Sequence, residues 1–253
     1  MFKGVRDGPL PIIIKISDLS INIYKYNYIY IYKMLDTIII IPYRAREKHL
    51  KYFLDHTTPL LKKHIPNGKI VIIEQDWNNK LFNRGCLLNI GVKEYENKTI
   101  HCMTQDVDIN PFEETILKYY VDSIPDNTIK GIYTSRHNTL GGIIKFQSKT
   151  FFLINGFPNN IWGWGQEDKA LQNRAEFKKV NIEKNILNND PNQNNYLLRF
   201  NDINDRIYYK GKSYYNVKCN ENEMQSSGLN NLKYKIIDRK HLNDYIELIK
   251  VSI

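Results

Sequence analysis

Five consecutive residues, Thr37-Ile38-Ile39-Ile40-Ile41, are closed by Pro42. An uninterrupted β-branched run this short reads as a strand covered on both faces, and such strands belong to parallel sheets. The succeeding segments agree with that reading. Leu50, Phe53, Leu54 and Leu61 recur at helical spacing and predict a helix over residues 45–63, bent near Pro59. Lys69–Glu74 predicts a second strand, residues 84–96 a helix, and Thr99–Thr104 a third strand that runs into Asp106-Val107-Asp108. Strand, helix, strand, helix, strand implies a mainly parallel central sheet with covering helices, an α/β fold. Ligands of such sheets bind beyond the carboxyl ends of the strands. Arg44, Arg46 and Asp106 to Asp108 fall at those ends and mark a candidate active-site edge.

Beyond Pro111 the pattern is looser. Residues 129–133 and 142–146 read as strands, and 148–154 as a short helix capped by Ser148. Residues 156–166 form a Gly/Pro/Asn/Trp loop, 167–177 a helix and 185–195 an Asn-rich loop, and segments 233–238 and 245–251 close the sheet. With no internal repeat, residues 34–253 are expected to be a single domain. Residues 1–33 differ: a Gly/Pro-broken start precedes Ile/Tyr/Asn/Lys alternation, and the expectation is a poorly ordered N-terminal extension. Lys15, Lys25 and Lys33 interrupt any signal anchor, and no small-residue cleavage site follows.

The 253 residues suffice for a sizeable core, and no apolar run reaches the ~18 residues of a membrane-spanning helix. Three cysteines with no repeated spacing argue against a disulfide framework or a CxxC metal site and fit a reducing compartment. A net charge of +9 suits either a solvated basic surface or an anionic partner such as nucleic acid, a nucleotide diphosphate or an acidic glycan; charge does not choose among them. No nucleic-acid-binding module is visible.

Three segments carry chemistry. The carboxylates of Asp106 and Asp108 share one side of a strand end, with Val107 facing away, and such a pair can hold a divalent cation against a diphosphate leaving group. Arg44 and Arg46, in PYRAR, sit at a strand-to-helix turn where arginines can clamp a phosphate or a uracil carbonyl. In Trp162-Gly163-Trp164-Gly165-Gln166-Glu167-Asp168, tryptophans and glycines combine flat faces for sugar C–H groups with close backbone approach. Glu167 and Asp168 then open a helix, where one can act as a general base toward a hydroxyl.

The segment GFPNNIWGWGQED resembles the signature loop of the β1,4-galactosyltransferases, inverting GT-A-fold enzymes that use UDP-galactose. IIIIPYRAREKHLKYFL, LFNRGCLLNIG, QDVDINP, LGGIIKFQSKTFFLINGFPNN and MQSSGLNNLKYKIID follow other family segments in order, so the likeness covers roughly residues 37–240. It implies a GT-A, Rossmann-like nucleotide-sugar-binding fold and an enzyme that moves galactose or N-acetylgalactosamine from UDP-Gal or UDP-GalNAc to a glycan hydroxyl, with β linkage. The resemblance implies that Pro42, Tyr43, Arg44, Arg46, Phe82 and Arg84 line the donor pocket, with Asp106 and Val107 beside them. It makes Asp108 a ligand to Mn2+, and Gly142, Trp164 and Glu167 neighbours of the donor sugar. Gly165 and Gln166 fall to the acceptor side, and Asp168 becomes the catalytic base.

The chain departs from the family pattern in four places. Lys169 replaces a second Asp after the base. The family's Met-x-x-His metal ligands correspond to Leu197-Leu198-Arg199-Phe200, leaving Asn201, Asp202 or Asp205 as substitutes. Thr139 replaces a bulky aromatic before Gly141-Gly142, which makes room for the N-acetyl group of UDP-GalNAc. The family's membrane anchor and disulfides have no counterpart, so a cytoplasmic location, in a microbe or a virus-infected host, is expected. The competing expectation is a catalytically degenerate nucleotide-sugar- or glycan-binding protein of the same fold.

Overall fold

Eight strands form one mixed sheet in the computed structural model, which describes residues 34–109, 114–133, 139–184, 197–198, 200 and 207–253. They are β1 (Leu35–Tyr43), β2 (Gly68–Gln75), β3 (Thr99–Gln105), β4 (Thr128–Tyr133), β5 (Ile143–Gln147), β6 (Asn181–Glu183), β7 (Lys235–His241) and β8 (Ile246–Ser252), in the order β6-β4-β5-β3-β1-β2-β8-β7. The centre is parallel: β1 lies between β2 and β3, and β8 continues the parallel run beyond β2. β5 is inserted antiparallel to both β3 and β4, and β7 pairs antiparallel with β8 at the far edge.

The isoleucine run behaves as its composition demands, because alternate residues enter opposite cores. Ile38 and Ile40 join Val71 and Ile73 on the face covered by α3 (Arg84–Glu94), α5 (Ser148–Leu153) and α6 (Glu167–Phe177). Ile39 and Ile41 join Ile70 and Ile72 on the other face, with Phe53, Leu61, Leu117 and Tyr120. The first predicted helix is continuous but composite. α1 (Glu47–Tyr52) passes through a π turn at Phe53–Thr57 into α2 (Thr58–His64), so the irregularity lies just before Pro59, whose missing N–H is tolerated in a first turn.

Element ends shift by up to three residues from the sequence expectation, β7 running Lys235–His241 rather than 233–238, and two of the differences have a physical reason. Ser148 does not cap α5: Gln147 occupies that place with extended dihedrals, and the Ser148 hydroxyl lies 3.3 Å from the Cys102 thiol. β5 begins at Ile143 rather than 142 because Gly142 takes φ +68, outside the strand region. Helices α4 (Glu114–Val121) and α7 (Glu221–Ser226) and strand β6 were not legible in advance. The Asn-rich segment at 185–195 and the N-terminal extension lie outside the described residues. Among the described residues, no helix is long and apolar enough to cross a membrane.

Candidate active site

The site forms where β1, β2 and β3 deliver their carboxyl ends. After β1 the backbone turns sharply at Ala45, which holds a left-handed φ of +50. A side chain there costs about 1 kcal/mol, a strain of the kind that accompanies functional turns. Its effect is to separate the two arginines. Arg44 donates to the Lys80 carbonyl (2.9 Å) and lies over the rings of Trp77 (5.0 Å) and Phe82 (5.5 Å), while Arg46 donates to Asp108 (2.6 Å). Pro42 and Tyr43 are buried at the strand end, Tyr43 within the core on the α1–α2 side. Trp77, 69% exposed beside Arg44, is a candidate site residue that sequence reading missed; a lone Trp in a polar loop gave no periodic signal.

Arg84 is the hub. Its Nε donates to Asp106 (2.6 Å) and its Nη1 to Asp168 (2.7 Å), and Glu167 stands 3.7 Å away. Burial alone would lower the affinity of this guanidinium for its proton, but Asp106, Asp168 and Glu167 outweigh burial and raise it. Burial lifts the carboxylates themselves, against the pull of Arg84: Asp168 to about 7 and Asp106 to about 6, with Glu167 also raised. Asp168 keeps 24% of its side-chain surface exposed, so it is both perturbed and reachable. Arg84 Nη2 and Glu167 Oε2 are buried without a hydrogen-bond partner. An orphaned buried donor and acceptor cost roughly 1–3 kcal/mol each, a cost that a ligand hydroxyl, which donates and accepts, removes.

Elements around the hub fix it. Asn83 accepts from Cys86 N (3.0 Å) to cap α3, and donates to the Asn159 carbonyl (2.7 Å), while its own N–H donates to Gln75 at the end of β2 (2.8 Å). Asn89 holds both backbone groups of Phe157 (2.7 and 2.9 Å), and Arg174 donates to the carbonyls of Asn155 and Gly156 (3.1 and 2.8 Å). The tryptophan loop is therefore rooted rigidly where it begins. Further on it is an open coil, with Gly163, Gly165 and Gln166 at φ +94, +97 and +80. Trp164 is 44% exposed, meets Tyr208 edge-on (5.0 Å) and bonds Ile207 and Tyr209 through its backbone. Gln166 accepts from Tyr214 N (2.7 Å), which secures the start of α6.

Gly142 sits in the same site, its carbonyl accepting from Asp106 N (3.3 Å). Gly141 has a sharper role. A Cβ there would lie 2.1 Å from Asp168 Oδ2, so only glycine lets that carboxylate rest against the backbone. Gly141→Ala is expected to fold, since no left-handed φ is involved, yet to push the Asp168 carboxylate off its 2.7 Å bond with Arg84. Melting curves beside a crystal structure of the variant check this.

The donor set fits a divalent cation poorly. Arg46 already occupies Asp108, and Arg84 occupies Asp106. The backbone at Asp108 pairs with the segment expected to complete a metal site, through Leu198 N to Asp108 O (2.8 Å) and a bridge from Ile109 to Leu197. That segment brings Leu197, Leu198 and Phe200, the last packed on His49 (4.9 Å). Leucine and phenylalanine side chains offer no ligand atom. Among the described residues no group of three His, Cys, Asp or Glu side chains is placed to hold a metal, and Asn201, Asp202 and Asp205 lie outside them.

Comparison with known proteins gives a consistent picture. The model of the N-terminal region of glycosyl transferase group 7 matches residues 30–121, and that of the N-terminal domain of galactosyltransferase matches 129–189, together more than half the chain. Human beta-1,4-galactosyltransferase 4 is 31% identical over 217 residues, 83% of this chain and 61% of that protein. Mouse beta-1,4-galactosyltransferase 1 is 30% identical over 231 residues, 83% of this chain and 53% of that protein. The chain thus spans half to three-fifths of the length of these relatives. A solved structure of Drosophila beta-1,4-galactosyltransferase 7, an aspartate-to-asparagine variant with manganese, UDP-Gal and xylobiose, superposes with a TM-score of 0.63 at 21% identity, covering 87% of this chain and 94% of that one. That likeness is one of fold, and the fold is GT-A, as the sequence led us to expect.

Proposed function

The chain belongs to the group 7 glycosyltransferases, and on that premise we propose that it is an inverting transferase moving galactose or N-acetylgalactosamine from a UDP-sugar to a glycan hydroxyl, with β linkage. The observation that carries this reading is Asp168, a reachable carboxylate poised near neutral pH, held by Arg84 and seated against Gly141. In this reading the uridine diphosphate lies along Arg44, Arg46 and Phe82, and the donor sugar meets Gly142, Trp164 and Glu167. The acceptor enters beside Gly165 and Gln166. Asp168 takes the proton from the acceptor hydroxyl as that oxygen bonds to the anomeric carbon. The bond from that carbon to the diphosphate breaks, its electron pair leaving with UDP, and one displacement inverts the configuration. Manganese accompanies UDP-Gal in the fly structure; the described residues here do not suit it, and no step is routed through a metal.

The small, buried Thr139 two residues before Gly141 supports UDP-GalNAc as a donor alongside UDP-Gal. Three free cysteines suit a reducing compartment such as a cytoplasm. Transfer from each UDP-sugar to a panel of glycans, xylobiose included, tests the activity. Lys169, a cation beside the base, favours a second reading, a binding protein without transfer. Firm donor binding with no product on any acceptor would select it.

A pH profile follows from this reading. Asp168 acts as a base only when ionised, so kcat/KM should fall about tenfold per unit below pH ~7 and level off above it. A profile flat from pH 5 to 8 would remove Asp168 from that role.

A further inference from the structure

Each carboxylate of the Asp106-Val107-Asp108 turn meets an arginine at 2.6 Å, Asp106 the shared Arg84 and Asp108 Arg46. Among the described residues, the backbone at Asp108 pairs with Leu198, its neighbour Ile109 bridges to Leu197, and the Phe200 ring packs against His49 and Tyr52. A hard divalent cation needs several oxygen or nitrogen donors, and among the described residues Leu197, Leu198 and Phe200 bring only hydrocarbon side chains to this segment. The positive charge is nevertheless present. Arg46 keeps 30% of its side-chain surface exposed at the strand edge where a diphosphate would lie, and Arg44 stands on the other side of the strained Ala45 turn.

Resting on the donor-site reading above, we infer that Arg46 takes the place of the family's metal ion, so that the nucleotide diphosphate is bound and its leaving charge neutralised by guanidinium rather than by a divalent cation. In the free protein Asp108 holds Arg46 in position as its counter-ion. When the donor arrives, Arg46 exchanges that carboxylate for diphosphate oxygens, which its planar fork matches in geometry. Asp108 is thus a competitor of the diphosphate for Arg46.

Calorimetric titration of the full chain with UDP, in excess EDTA and again in manganese, tests this. The expected result is equal affinity in both, a 10–100-fold weakening in Arg46→Met, and partial recovery in Arg46→Lys, which restores charge without the fork. Asp108→Asn separates the two accounts by sign. It should tighten UDP binding about threefold by freeing Arg46, whereas a metal site would lose its ligand and its affinity. Binding seen only with manganese, or abolished by Asp108→Asn, overturns the inference and leaves the donor site standing. No UDP binding under either condition overturns the donor-site reading, and the inference with it.

Discussion

Asp168→Asn should lower kcat for sugar transfer by about a thousandfold while leaving UDP-sugar binding within a few-fold of the parent. Asparagine keeps the shape of the side chain and can still accept from Arg84 Nη1, now 2.7 Å from Asp168 Oδ1, so the site should keep its form. What it loses is the ability to take a proton. General-base catalysis contributes typically 10²–10⁴ in rate, and no other carboxylate among the described residues is so placed. Glu167 is buried more deeply and Asp106 is turned toward Arg84 Nε. Turnover and donor affinity measured together decide the matter: unchanged turnover would dismiss Asp168 as the base, and lost donor affinity would make it a binding group.

The largest effect on stability should come from Arg84→Met. Methionine fills much of the volume but leaves Asp106, Glu167 and Asp168 facing one another without their shared cation. Breaking a buried charge cluster from one side costs about 3–5 kcal/mol, and the lower end applies here because Asp106 and Asp168 keep 29% and 24% of their surfaces exposed. For a chain of this size that is a fall in Tm of roughly 6–12 °C. The deficit should depend on pH with a definite sign. Arg84 favours the ionised forms of Asp106 and Asp168, so its contribution is present above about pH 7 and fades as pH falls through 7 and 6, where these groups protonate. Thermal melts at pH 8 and pH 5 should therefore show the gap between variant and parent narrowing on acidification. A gap independent of pH would mean that packing, not charge, is what Arg84 provides.

Both predictions concern residues that the sequence brought forward, and the reasons others stayed hidden are physical. The isoleucine run announced a strand buried on both faces because an unbroken apolar run leaves neither face for water, and the helix at 167–177 was bounded by its acidic first turn. The antiparallel insertion of β5 between β3 and β4 was invisible, since a strand's periodicity does not say which way its partner runs. Nothing in the sequence singled out the buried roles of Asn83, Asn89 and Arg174, which depend on loop carbonyls 19 to 76 positions away in the chain. Gly141 gave no sign of its importance either, because its meaning is the carboxylate that rests on it. The DVD turn, Arg46 and Arg84 were all visible in the sequence, but that these arginines hold its carboxylates became evident only in three dimensions.

A single in-line displacement at the anomeric carbon leaves its mark on the configuration of the product. The protein would be incubated with UDP-α-galactose and with UDP-α-N-acetylgalactosamine over the acceptor panel, and the new glycosidic bond assigned by proton NMR. The account predicts a β-linked product and one equivalent of UDP released per bond formed. An α-linked product would contradict it, because one in-line displacement at the anomeric carbon of an α-configured donor must invert it.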